Sequence, residues 1–323
     1  MKGADPAAGA DVNVDVDVDT DARRRAIDRA KACFLRACEL DVAVRKPGNV
    51  SQASAGHGMQ AALFIASAQA AVGPLFRPGA GVGERIEAAV NATWDAAGCN
   101  TNLGILLLCA PIALAVERHP EATSPAALRD AIEAVLADLD LADAQATYRA
   151  IARARPGGLG TAPNQDVGEP PSVDLRAAMA LAADRDSIAR QYRDGYAELF
   201  EAARASIDNG NSPGAGQVTG EPTSAPTVET AAAVQRLYLT LLSRFADSHI
   251  VRNHGEAVAH IVMTAAQAWL ARAGHDGGLE ARLDTEPEFA AWDARLKADR
   301  INPGTTADLT VAALLIASLT GGF

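Results

Sequence analysis

From residue 22 onward, apolar side chains recur at spacings of three and four along most of the chain, and short polar stretches interrupt them. Such a period marks one face of a helix. It predicts helices near 22–44, 58–73, 83–97, 103–118, 125–137, 140–153, 174–206, 229–247, 253–273, 288–298 and 306–319. The longest shows the logic. Leu181, Ile188, Tyr192, Tyr196 and Leu199 fall on one stripe, with Arg185 at its edge. Asp186 points with Arg190 and Arg193 to the other side of that wheel. An arginine beside an apolar stripe can snorkel, pair structurally or bind a ligand, and the pattern does not choose.

Composition sharpens the fold class. Hydrophobic residues make up 49% of 323 and aromatics only 4%, with alanine prominent. Alanine-rich, aromatic-poor chains favour helices over sheets. The prediction is an all-α, single-domain multi-helix bundle over 22–323, its polar interhelical loops forming one cleft. Residues 1–21 alternate Asp and Val but are too acidic to pair as a strand, and are expected to be a disordered tail. The Gly/Pro/Ser/Thr-rich stretch 208–230 reads as a flexible insertion. A third break, 155–172, has specific Gly and Asp content and is a candidate functional loop.

The formal charge is −11, of which the first 22 residues carry −5. No basic face dominates, which argues against a nucleic-acid partner. Cys33, Cys38, Cys99 and Cys109 form no CxxC pair and sit in apolar helical contexts, so reduced thiols and a cytoplasmic setting are expected. The N-terminus lacks the apolar core of a signal peptide, and the apolar runs 103–116 and 309–319 are too short to span a bilayer, so no membrane partner is expected. A homodimer stays open.

Four polar motifs stand out. "RKPGNVS" at 45–51 presents Lys46 before a Pro–Gly turn, with Asn49 just after it. "GCNTNLG" at 98–104 places Asn100, Thr101 and Asn102 at the mouth of the greasiest helix. Capping needs one of the three; the surplus suggests a ligand site at a helix start, which favours anions. "RFADSHIVRNHG" at 244–255 carries Asp247, His249, Arg252 and His254, without the HExxH spacing of a zinc site. Asp247 with substrate phosphates suits Mg²⁺ better. "NPGTTADL" at 302–309 has Thr305 as an expected N-cap and Asp308 at its N3 position, close to a capping box. Any one of these motifs alone would ordinarily be a turn or a cap.

In order and together, the four motifs resemble the triphosphoribosyl-dephospho-coenzyme A synthase family, whose members carry KPGLVD-, GVNTHKG-, GDTN- and SPGGSADL-like segments. The resemblance runs from about residue 26 to 319. It implies an ATP-dependent transferase that joins a triphosphoribosyl group to a hydroxyl of 3′-dephospho-CoA and releases adenine. On matching positions it implies Lys46 as a phosphate contact and Asp247 and Asp308 as general-base or Mg²⁺-binding carboxylates. Asn49, Asn100, Thr101, Asn102, Arg185, Asp186, Arg252 and Thr305 would contact the nucleotide or the phosphorylated acceptor. His57, in "SAGHGM", corresponds to a family histidine.

There are departures. Ser51 replaces the aspartate of KPGLVD, and Asn102-Leu103 replaces the histidine–lysine pair of NTHKG. KPGNV, NTNLG, PGGLG followed by Asp166-Val167, RDxIAxQY and NPGTxADL resemble a divergent archaeal and methylotroph-type branch. That branch implies a changed phosphorylated or pterin-like substrate in one-carbon cofactor biosynthesis. A non-catalytic helical binding protein is the remaining alternative.

Overall fold

A computed structural model describes residues 12–207, 225–275 and 283–322. Among these the protein is all helix: α1 (Val12–Ala43), α2 (Ala61–Leu75), α3 (Val82–Ala97), α4 (Leu103–Arg118), α5 (Pro125–Ala137), α6 (Leu141–Ala154), α7 (Leu175–Ala180), α8 (Ser187–Arg193), α9 (Ala197–Ile207), α10 (Val228–Arg244), α11 (Ser248–His254), α12 (Glu256–His275), α13 (Pro287–Ala298) and α14 (Gly304–Leu319). The four cysteines are free thiols. No described helix is long and apolar enough to cross a membrane.

The bundle is built around α4 and α14. Every residue of α4 from Leu103 to Glu117 is buried. Its sequence has no polar face, so it must be enclosed on all sides; α1, α3, α5 and α14 pack against it. Pro111 lies inside it and has no N–H for the carbonyl of Leu107. The Tyr192 hydroxyl supplies that donor at 2.6 Å, and Tyr196 bonds the next carbonyl, Leu108, at 2.8 Å. A second apolar cluster joins α10–α13 around Trp269, Phe289 and Trp292.

Most predicted helices stand within a few residues of their expected ends, and three differences matter. α1 begins at Val12 and enters the stretch read as a tail. Residues 1–11, and 208–224 of the expected insertion, lie outside the described residues. The single helix expected over 174–206 is three helices, because Asp186 caps α8 through bonds from Ile188 N and Ala189 N, and Gly195 and Tyr196 take positive φ of 60° and 58°. Finally, residues 248–254 form a separate short helix, capped by Asp247.

Candidate active site

The five polar breaks lie far apart in sequence, yet each contributes to one cavity of about 410 Å³. Asn49, Asn100, Thr101, Asn102, Arg185, Asp186, Arg252, Thr305 and Asp308 all line it, together with the loop 156–167. Lys46, His57 and Asp247 do not. They stand behind its wall.

The mouth of α4 divides its polar residues among different tasks. Asn100 Oδ1 accepts from Leu103 N at 3.1 Å and is the working cap. Thr101 Oγ1 donates to Ser67 Oγ on α2 at 2.7 Å. Asn102 is the surplus: it is 5% exposed, and its Nδ2 has no partner among the described residues. Two residues on, Gly104 sits under the Asp308 carboxylate. A Cβ there would lie 2.6 Å from Asp308 Cγ and 2.7 Å from Ile188 Cδ1. Gly104 therefore admits the carboxylate to the cavity. Gly104→Ala should keep the fold, since alanine suits a helix better than glycine and the atoms a Cβ would meet are side-chain ends of Asp308 and Ile188 that can shift. It should also displace Asp308 and slow any reaction that uses this carboxylate about 10²-fold, the usual effect of misplacing a reacting group by about 1 Å. Thermal unfolding and single-turnover assays check both parts.

Asp308 is not the capping residue expected from NPGTTADL. α14 starts at Gly304 with Pro303 at the N-cap and no side-chain cap bond. That shifts Asp308 past the first turn and leaves its carboxylate without a hydrogen bond or ion pair among the described residues. Burial, then the charges of Asp41 and Asp247, push its pKa well above the usual carboxylate range; Arg252 opposes them.

The cap of α14 comes from elsewhere. Asp247 Oδ2 accepts from Thr306 N and Thr306 Oγ1, both at 2.7 Å. Its Oδ1 accepts from His249 N at 2.9 Å and Ile250 N at 3.0 Å. With 1% exposure and four bonds, Asp247 clamps α11 to α14. It has no oxygen left for a metal or a substrate proton, which revises the role expected for it.

Lys46 is revised likewise. It is 0% exposed, and its Nζ lies 2.9 Å from both Asp41 Oδ1 and Asn49 Oδ1. It cannot meet a phosphate in the cavity; it holds two residues that do line it. Asn49 Nδ2 in turn donates to Asn302 Oδ1 at 3.0 Å. His57 Nε2 bonds the carbonyl of Gly48 at 2.7 Å and serves the KPG turn.

At the other end, Arg252 pairs with Asp186 at 2.6 Å, and the exposed Arg185 donates to the Leu181 carbonyl. Asp186 thus faces the cavity rather than the far side of a long helix. Asp166 accepts from Ala162 N and Gly168 N and folds the 156–168 loop around itself; these backbone donors hold its pKa down. His249 lines the cavity with its pKa lowered to about 4, mainly by burial, so it is neutral near pH 7. His254, half-buried, and His260, exposed, each bond a backbone carbonyl.

Comparison with known proteins decides the family. The family model of CitG, ATP:dephospho-CoA triphosphoribosyl transferase, matches residues 27–323. The chain belongs to this family. Its fold is similar to the crystal structure of a putative triphosphoribosyl-dephospho-CoA synthase from Archaeoglobus fulgidus, with a TM-score of 0.59 at 22% identity, covering 80% of this chain and 100% of that one. A comparison with curated proteins gives no match.

For a triphosphoribosyl transferase the charge of the cavity is unexpected. Its lining carboxylates, Asp41, Asp166, Asp186 and Asp308, outnumber the arginines, Arg185 and Arg252. The donors do not fit the resident Mg²⁺ expected on Asp247 and Asp308, because Asp247 is fully engaged. Among the described residues no group of three or more His, Cys, Asp or Glu is placed to hold a metal ion. Sequence reasoning missed Asp41, Asp166, His249 and Asn302 as lining residues. Asp41 lies inside a helix with no motif around it, whereas Asp166 and Asn302 stood within breaks already singled out.

Proposed function

We propose that this cavity transfers the triphosphoribosyl group of ATP to an acceptor hydroxyl, with Asp308 as the base. The observation that carries the reading is the Asp308 carboxylate, admitted by Gly104, unpartnered, and set in a cavity lined by the family motifs. In the transfer, the bond between ribose C1′ and adenine N9 breaks and N9 keeps the electron pair. The acceptor oxygen bonds to C1′, and its proton passes to Asp308 and finally to adenine. Burial raises the pKa of this carboxyl, so it holds a proton more readily than an ordinary carboxylate and is suited to take and return one. Negative charge beside C1′ also favours the positive ribosyl centre as the glycosidic bond opens.

A second reading, the same donor chemistry with a changed acceptor, is favoured by Leu103. It is 8% exposed and lines the cavity where the NTHKG motif has its lysine, so one phosphate contact of the family pattern is missing. Together with the KPGNV and NPGTxADL motifs, this favours a phosphorylated or pterin-like acceptor of one-carbon cofactor synthesis.

The test is chromatography of free adenine after incubation with MgATP and dephospho-CoA. Adenine with dephospho-CoA supports the first reading. Adenine only with another hydroxyl acceptor supports the second. Phosphate or AMP without adenine rejects both.

A further inference from the structure

The following rests on the reading of the cavity as a nucleotide site. We infer that the nucleotide enters sugar first: Asp41, Asn302 and Asn102 form a ribose-hydroxyl subsite at the cavity floor beside Asp308, and the phosphates stay at the rim near Arg185 and Arg252.

Burial separates floor from rim. Asp41 and Asn102 are 4% and 5% exposed, whereas Leu181 at the rim is 53% exposed and Arg185 beside it is exposed too; Asn302 and Arg252, both half-buried, lie between these extremes. Of the lining cations, Arg185 is exposed, and Arg252, although near enough to act on Asp308, is held by Asp186. The cation nearest to Asp41, Lys46, is fully buried and engaged by Asp41 and Asn49. A polyphosphate placed at the floor would instead meet the carboxylates of Asp41 and Asp308, with Asp247 close behind. Repulsion between such charges in a poorly hydrated pocket is strong.

Sugar hydroxyls suit the same wall. Each donates one hydrogen bond and accepts others. Carboxylates accept, and amide Nδ2 groups donate. Asn302 gives its Oδ1 to Asn49, which leaves its Nδ2 without a partner among the described residues. Asn102 Nδ2 is likewise unpartnered although its residue is buried and lines the cavity. A buried amide donor without an acceptor carries a cost that a ligand oxygen would remove. Lys46 then acts through Asp41 and is a positioning residue.

The test is a set of dissociation constants for ATP, 2′,3′-dideoxy-ATP and inorganic tripolyphosphate, each measured calorimetrically. The wild type should prefer ATP over the dideoxy analogue by about tenfold or more, the worth of one to two hydrogen bonds. Asp41→Asn and Asn302→Ala should largely erase that preference and leave tripolyphosphate affinity unchanged. Asn302→Ala keeps the test valid if unpairing Lys46 prevents Asp41→Asn from folding. Arg185→Gln should weaken tripolyphosphate and keep the sugar preference. Absence of a sugar preference in the wild type overturns the inference. So does tighter tripolyphosphate binding in the floor variants with the preference intact. Adenine release by the wild type, assayed in parallel, tests the transfer reading separately: no release with the sugar preference intact would sink the chemistry and leave the orientation standing.

Discussion

Asp308→Asn is expected to abolish adenine release while leaving the protein at least as resistant to heat as the wild type. General-base catalysis contributes about 10²–10⁴-fold, so the loss should fall in that range or beyond it. The stability half follows from the direction of the pKa. Asp308 sits near Asp41, Asp247 and Asp186, and its folded pKa is raised. Between the unfolded value, about 3.9, and that raised value, the native state binds more protons than the unfolded chain. Stability therefore falls as pH rises through this window. Asn removes the penalty, so the variant should show a flatter dependence of Tm on pH, with its advantage growing from acid toward neutral pH. Thermal melts at several pH values, alongside the adenine assay, check both halves. A folded variant that is active would remove Asp308 from the chemistry, and a variant that melts well below the wild type would overturn the stability half.

Much of this site was legible in the sequence, and the failures share a cause. Periodicity located the helices because burial of an apolar stripe is a local signal. The order of the polar breaks indicated a common cleft, which the lining residues Asn49, Asn100, Asp186, Arg252 and Asp308 now describe. Asn102 could be suspected by counting, since a helix start needs only one cap. Which polar side chain faces the ligand, and which stands one layer behind, is set by tertiary contacts. Asp247 and Asp308 looked equivalent as motif carboxylates, but the α14 start at Gly304 leaves one free while Thr306 engages the other. Lys46 looked like a phosphate contact because its partner, Asp41, lies inside a helix where no turn or motif marks it. The break at 181–186 was hidden because Asp186 interrupts the long helix without a proline, and the apolar stripe continues on both sides.

Asp247→Ala should give the opposite signature to Asp308→Asn: a large loss of stability, with activity falling as a consequence. Truncation leaves the N–H groups of His249, Ile250 and Thr306 and the Thr306 hydroxyl without their acceptor. Ile250 and Thr306 are buried, so water cannot easily replace it. Each orphaned buried donor costs about 1–3 kcal/mol. Against this, the carboxylate itself bears a desolvation cost, seen as a raised pKa despite its bonds, and alanine relieves it. A net loss of about 3 kcal/mol is expected, read from urea unfolding at pH 7. Asp247→Asn should lose less, because its carbonyl oxygen can keep the α11 cap. Its NH₂ group would then face the Thr306 N–H, so the bond that orients the start of α14 is still lost. As Thr305 and Asp308 ride on that helix start, adenine release should drop even in the fraction of Asp247→Asn that remains folded. An Asp247→Ala protein as stable as the wild type, with activity gone, would return Asp247 to the chemistry and leave the clamp without a function.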